Sequence, residues 1–204
     1  MSPLKRKSKT SYQKAELFLE FLSVICDIPE TMRNRIIKNS LAVKLYKGEL
    51  LPTEMLKSNV IFINIGAIRG FIHEKDKDVT LMISQENQLI GSSNLEIFSR
   101  TDYALTYQAL EDCCLLALPF SLLYLLRERH KQMSLINDHF IWRYHSEATE
   151  RNLLSRLPTA MLRYSRLMQT DPGLFDRVPD KYLSSYLVMR QETLSRLRRT
   201  KKNI

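Results

Sequence analysis

The hydrophobic period of this chain changes twice, and that change confines the fold more tightly than any single residue. From about Leu41 to Leu118 the apolar residues come in short β-branched runs: AVKLYKGELL, VIFINIGAIRGFI, VTLMIS and CLLALP. Gly48, Gly66, Gly91 and the polar turn EKDKD punctuate them. No helical pattern of ten or more residues separates the runs, which excludes a parallel sheet built from strand–helix–strand crossovers. The spacing suits an antiparallel sandwich or jelly roll. On either side the period is helical. Leu17, Phe18, Phe21 and Leu22 mark a helix within Ala15–Val24, and a second opens near Pro29 with Ile36 and Ile37. After Pro119, Leu122, Leu125 and Leu126 form one stretch. Met133, Ile136, Phe140, Tyr144 and Ala148 then follow at three- and four-residue steps, a heptad-like seam along a long helix. That seam is read here as the interface of a two-fold homodimer.

Composition narrows the function. At 204 residues, 44% hydrophobic and 26% charged, the chain is neither disordered nor collagenous, and it is long enough to bury a core. No run of eighteen apolar residues exists, so no membrane-spanning helix is expected, and the basic N-terminus MSPLKRKSKT lacks the apolar stretch of a secretory signal. Cys26, Cys113 and Cys114 have no metal-ligand spacing, which predicts reduced thiols in a cytoplasmic protein with no metal site. The +9 net charge is unevenly divided: +5 over residues 1–14, −3 over 15–149 and +7 over 150–204. A slightly acidic body with a basic C-terminal quarter points to a polyanion-binding module at that end. Nothing suggests an enzyme. There is no glycine-rich phosphate loop and no nucleophile elbow, and His73 lacks the His-x-His or Glu partner that a metal site in a β-roll needs.

Residues 149–169, TERNLLSRLPTAMLRYSRLMQ, read as an amphipathic helix with Leu153, Leu157, Leu162 and Leu167 inward, kinked or divided by Pro158. Asp171-Pro172-Gly173 stops it. Val178-Pro179 then opens a short helix, Asp180 to Tyr186; Leu187-Val188-Met189 breaks it; and a second helix, Gln191 to Arg199, turns Leu194 and Leu197 inward. Two short helices around a tight turn have helix-turn-helix proportions. The second carries the planar donors that read base edges in a DNA major groove.

The segment KYLSSYLVMRQETLSRLRR resembles the helix-turn-helix of the Crp/Fnr superfamily of bacterial transcription regulators, whose recognition helix carries E-T-hydrophobic-S/G-R. Glu192, Thr193, Leu194, Ser195 and Arg196 match it position by position. The resemblance implies an α+β fold: an N-terminal, jelly-roll-like β-roll of the cyclic-nucleotide-binding-domain type with a helical cap and eight strands, a long dimerisation helix, and a C-terminal all-α helix-turn-helix. It divides the chain into a basic tail (1–14), a sensor roll (15–120), a dimerisation helix (121–150) and a DNA-binding domain (151–204). By the same match Glu192 and Arg196 read bases, Gln191 contacts base or phosphate, and Thr193 and Ser195 meet the phosphate backbone, with Arg190 and Arg199 beside them. The implied partners are double-stranded DNA, a second copy of the chain and RNA polymerase, with no membrane. Two features depart from the pattern. Val188 stands where the turn usually has glycine, so a left-handed residue there is costly and an altered turn is expected. The sequence ends at Ile204, leaving no room for a β-hairpin wing.

Relatives that bind cyclic nucleotides hold the ribose with a Gly-Glu-hydrophobic turn and the phosphate with an Arg-small pair. Gly91 resembles the glycine, but Ser92 and Ser93 replace the carboxylate and its apolar neighbour. Arg100-Thr101 looks like the Arg-small pair, yet counting back from Ala109 places Tyr103 at the arginine's position. A buried phosphate without a cation is expensive, so no response to cyclic AMP and no cofactor are expected. A different effector, or a roll kept as scaffold, remains open. The alternative is a cyclic-nucleotide-type sensor module that regulates a protein partner and has a degenerate DNA-binding end.

Overall fold

The computed structural model describes residues 9–91 and 103–202. Among them seven antiparallel strands form two facing sheets, ordered β1-β7-β2-β5 and β4-β3-β6. The strands are β1 (Leu41–Leu45), β2 (Asn59–Ile65), β3 (Ile68–Glu74), β4 (Lys77–Ser84), β5 (Leu89–Gly91), β6 (Thr106–Ala109) and β7 (Cys113–Pro119). Strand alternation explains why the central runs are apolar throughout. Along β7, Cys113, Leu115 and Ala117 fill the space between the sheets with Ile61 and Ile63 of β2. Leu116 and Leu118, with Phe62 of β2, face the helices on the outside. Both faces of the four-stranded sheet are therefore buried.

The outer layer is α1 (Lys9–Ile25), α2 (Glu30–Asn39), α4 (Phe120–Arg129) and the start of α5 (Gln132–Arg156). Phe18 stacks on Phe62 at 4.6 Å between ring centroids, and Phe21 meets Phe140 at 5.8 Å. One element had no signal in the β-rich reading: α3 (Thr53–Ser58) interrupts the strands, with Pro52 as its N-cap, Glu54 in its first turn and Lys57 in its last. The helical stretch after Pro119 is two helices, broken at His130, and the second runs to Arg156.

The seam predicted for a dimer is corrected in its first half. Ile136 is 4% exposed and packs in the chain's own core, with Met133 and Phe140 against the same cluster. A heptad pattern states which side chains share a face, not what covers it, and here α1 and the roll do so. Ala148 is partly buried and Tyr144 is 45% exposed. The large apolar groups that α5 leaves most exposed are Leu135, Ile141 and Trp142, the last 73% exposed, with Leu153 and Tyr144 less so.

Pro158 divides the next stretch outright. Leu157 caps α5, Thr159 accepts a hydrogen bond from Leu162 N at 3.2 Å, and α6 (Ala160–Thr170) begins anew. Leu167 is buried as read from the sequence, with Leu154 and Tyr164, while Leu153 and Leu162 are about half exposed, contrary to their inward reading, because two separate helices do not share one phase. A single turn, α7 (Leu174–Arg177), leads to α8 (Asp180–Tyr186) and α9 (Gln191–Lys202). Leu183, Leu187 and Leu194 close this unit's core, into which the roll contributes Ala67 and Leu110.

Candidate nucleic-acid interface

The helix pair α8–α9 is joined by Leu187-Val188-Met189-Arg190. Val188 N–H donates to Ser185 O at 3.1 Å and Met189 N–H to Ser184 O at 3.0 Å. This pair of reversed bonds ends a helix through a left-handed residue, and Val188 takes that conformation with φ at 52°. The glycine-type turn is thus kept without glycine, against the expectation of altered geometry. For a residue with a Cβ the left-handed region costs roughly 1–2 kcal/mol. The Val188 side chain is 58% exposed.

With Leu194 fully buried and Leu197 partly so, α9 presents its opposite face outward. Arg190, Gln191, Glu192, Arg196 and Arg199 are exposed, and Thr193 and Ser195 are half-buried at the margin. Glu192, Ser195, Arg196 and Arg199 recur at three- and four-residue steps, which puts them on one stripe. Arg190 and Arg196 make no ion pair among the described residues, and Arg199 reaches only Ser195 Oγ at 3.4 Å. Arg198, which sequence reading grouped with the outer residues, turns in. It pairs with Asp180 at 2.8 Å and donates to Phe175 O at 2.6 Å, tying α9 to α8 and α7.

The inner side of this unit is docked on the three-stranded sheet. Arg69, on β3, is 1% exposed. Its guanidinium carbon lies 3.9 Å from the Phe71 ring centroid and 3.7 Å from that of Tyr182 on α8. It donates to Asp78 at 2.6 Å and to Gln108 at 2.8 Å. Burial pushes the Asp78 carboxyl up, but hydrogen bonds from Arg69 and His73 together hold it below the usual carboxylate range. Ser185 of α8 meets the edge strand β4 by accepting from Thr80 N at 2.9 Å, so the sheet edge is covered. Arg177 bridges Glu111 at 2.5 Å and Glu86 at 2.7 Å, and its own pKa is raised by both, Glu111 first. Glu86 is pushed up by burial and more than offset by hydrogen bonds from Arg177 and Gly66 N–H, ending low. Nothing in the one-dimensional pattern pointed to Arg69 or Arg177, since their partners are distant in the chain.

Two of the six ligand candidates, Gly91 and Tyr103, lie among the described residues. Ser92, Ser93, Arg100 and Thr101 lie outside the described residues. Gly91 has φ at 125°, and a Cβ there would sit 3.3 Å from Asn59 O, so the strand end needs glycine for backbone reasons. Tyr103 is 40% exposed. The space between the sheets is filled, with Tyr107 1% exposed and its hydroxyl against Met82 Sδ at 4.0 Å. A cavity of about 540 Å³ lies between the β4–β5 hairpin, α5 and the C-terminal helices. Its described charged lining is Glu86, Glu147, Glu150 and Asp171 against Arg143 and Arg151. The two arginines are already engaged, by Glu147 and by Leu81 O. Burial holds the Tyr186 hydroxyl at its wall neutral, pushing it up to about 12. Among the described residues no cluster of His, Cys, Asp and Glu could hold a metal ion, and no helix is long and apolar enough to cross a membrane.

No protein-family model and no curated protein matches the sequence. Solved structures do match. A transcriptional regulator of the Crp/Fnr family from Eubacterium rectale aligns at TM-score 0.63 with 12% identity, covering 86% of this chain and 84% of that one. CooA from Carboxydothermus hydrogenoformans aligns at 0.63 with 18% identity, covering 91% and 84%. FixK2 from Bradyrhizobium japonicum aligns at 0.61 with 16% identity, covering 80% and 85%. From the helical cap and paired sheets to the terminal helix-turn-helix, the chain has the fold of the Crp/Fnr transcription regulators and their cyclic nucleotide-binding kin.

Proposed function

We propose that the protein is a homodimeric, cytoplasmic DNA-binding transcription regulator of Crp/Fnr type that does not respond to cyclic AMP, and that it is not an enzyme. The observation that carries the reading is the outer stripe of α9. Glu192, Arg196 and Arg199 are exposed on a helix whose inner side is anchored by Leu194 and Arg198. Unpaired arginines on a rigid helix are the groups that read guanine and hold phosphates. A second copy would seat on α5, where Leu135, Ile141 and Trp142 leave apolar surface in solvent. Two recognition helices would then occupy half-sites about 34–36 Å apart. Against cyclic AMP stands the inter-unit cavity, whose described walls carry four carboxylates and only two arginines, both already engaged. The excess of carboxylates on the described walls disfavours a phosphate monoanion there.

The test is selection of sites from a random DNA pool, with wild type and Arg196→Ala side by side. The wild type should enrich a near-palindrome containing a guanine in each half-site, and the variant should lose preference at that position. No enriched palindrome would favour the alternative, a sensor module acting on a protein partner. Millimolar cyclic AMP should leave the melting temperature unchanged, whereas a ligand at a hundred times its Kd adds about 2.7 kcal/mol.

A further inference from the structure

The two reversed hydrogen bonds at the end of α8 leave the carbonyls of Leu187 and Val188 to be met from outside the turn. Both are met by Arg163 on α6. Its Nε donates to Leu187 O at 2.8 Å and one terminal nitrogen to Val188 O at 3.1 Å. The other terminal nitrogen donates to Leu157 O at 2.5 Å, the carbonyl of the residue that caps α5. A single planar guanidinium therefore gathers the closing carbonyl of the long helix and two carbonyls of the turn before the recognition helix. The charge suits the place, because α5 and α8 both direct the negative ends of their dipoles there. The fork suits it too: three donors in fixed, divergent directions reach three separate oxygens, which an ammonium on a flexible stem cannot reproduce. Arg163 makes no ion pair among the described residues, so no carboxylate competes for these donors.

We infer that Arg163 is the positioning residue of the recognition helix. It holds a left-handed turn that valine resists, and it ties that turn to the end of α5, so one side chain couples the start of the Glu192–Arg196–Arg199 stripe to the long helix, beside the packing and ion pairs that dock the unit. The functional consequence rests on the DNA-binding reading; the structural claim does not. The other positive-φ positions among the described residues are Gly48, Gly66 and Gly91 and the unbranched Lys75 and Asn87, so Val188 is the one β-branched residue held in that region. Here the missing backbone freedom is replaced by an external clamp.

The experiment is a cycle of four full-length proteins: wild type, Arg163→Ala, Val188→Gly and the double variant. Two readouts are taken, amide exchange at Val188 and Met189 and affinity for the DNA site that the wild type selects. Arg163→Ala removes all three donors and should accelerate exchange at both amides and weaken binding by about tenfold. Val188→Gly alone should change little. In the double variant glycine should hold the turn unaided and return most of both losses, a rescue that a merely packing role for Arg163 would not give. Additive losses, with no repair by glycine, would overturn the inference. Arg163→Lys keeps the charge without the fork and replaces the alanine variant if that one does not fold; it should show the same acceleration and the same rescue. If the wild type selects no DNA site, the functional reading fails while exchange still decides the clamp: faster exchange repaired by glycine sustains it, and unchanged exchange in Arg163→Ala refutes it.

Discussion

The arginines of the C-terminal unit and of the sheet beneath it fall into two populations that share a residue type and little else. Arg69, Arg163, Arg177 and Arg198 are fixed on several partners each, among them carboxylates, carbonyls and aromatic rings. Arg190, Arg196 and Arg199 stand in solvent on the opposite side. The first group builds the platform and the second is left free to act. A basic composition therefore overstates the charge available to a polyanion, because part of it is already neutralised inside the molecule.

That contrast can be broken at several points. The largest effect is expected at Arg69. Its replacement by Ala removes the plate between Phe71 and Tyr182 and leaves Asp78 with His73 alone, which should cost about 3 kcal/mol or more by denaturant unfolding; a loss below 1 kcal/mol would deny the docked interface its weight. Trp142→Asp comes next. A charge in a dimer seam should raise the dimer dissociation constant by 2 kcal/mol or more in equivalent free energy, roughly thirtyfold, read by sedimentation with monomer stability unchanged. Phe140→Asp should instead unfold the monomer, since Phe140 packs against Phe21 and Phe62. Equal behaviour of the two variants would return the interface to the other face of α5.

On the outer stripe the effects are smaller and fall on binding. Arg196→Ala should cost about 1–3 kcal/mol at one base position, with folding stability within about 0.5 kcal/mol of wild type. Arg199→Ala should weaken all sequences alike and make the salt dependence shallower by about one unit. Smallest is the pH effect of the inner ion pairs. Asp78 and Glu86 are held below their ordinary values, so their contribution is present in full above about pH 5 and is lost as pH falls through the depressed folded values. Acid unfolding monitored by far-ultraviolet circular dichroism should therefore be flatter in an Arg69→Ala, Arg177→Ala double variant than in wild type. An unchanged acid limb would detach those carboxylates from the interface.

Much of the site was legible before any coordinates. The bounds of α8, the inward turn of Leu194 and the exposure of Glu192 and Arg196 all follow from a 3.6-residue period with Pro179 opening one helix and a break before Gln191. Both faces of Val188's situation were also half visible: the sequence showed that a left-handed residue would be costly there, but not that Arg163, twenty-five positions upstream, meets the turn's carbonyl. The cover of the α5 seam, though not its phase, was misread for a related reason. Met133, Ile136 and Phe140 share a face whether a partner or the chain itself covers it, and α1 does.

The sequence by itself determined the local choices: where strands alternate, where glycine or proline ends an element, and which faces of the helices are apolar. These depend on neighbours within a few residues, through backbone sterics and the two side-chain periods. Only the tertiary structure decided which charges are spent. Arg177 finds Glu86 across 91 positions and Ser185 finds the edge of β4 across 105. Such pairings are selected by how the docked surfaces meet and by the cost of leaving a buried polar group unpaired. Arg198 and Arg199 are adjacent in the chain, yet one is bound to Asp180 and the other remains free, because a helix turns successive residues about 100° apart and the body of the protein lies on one side only.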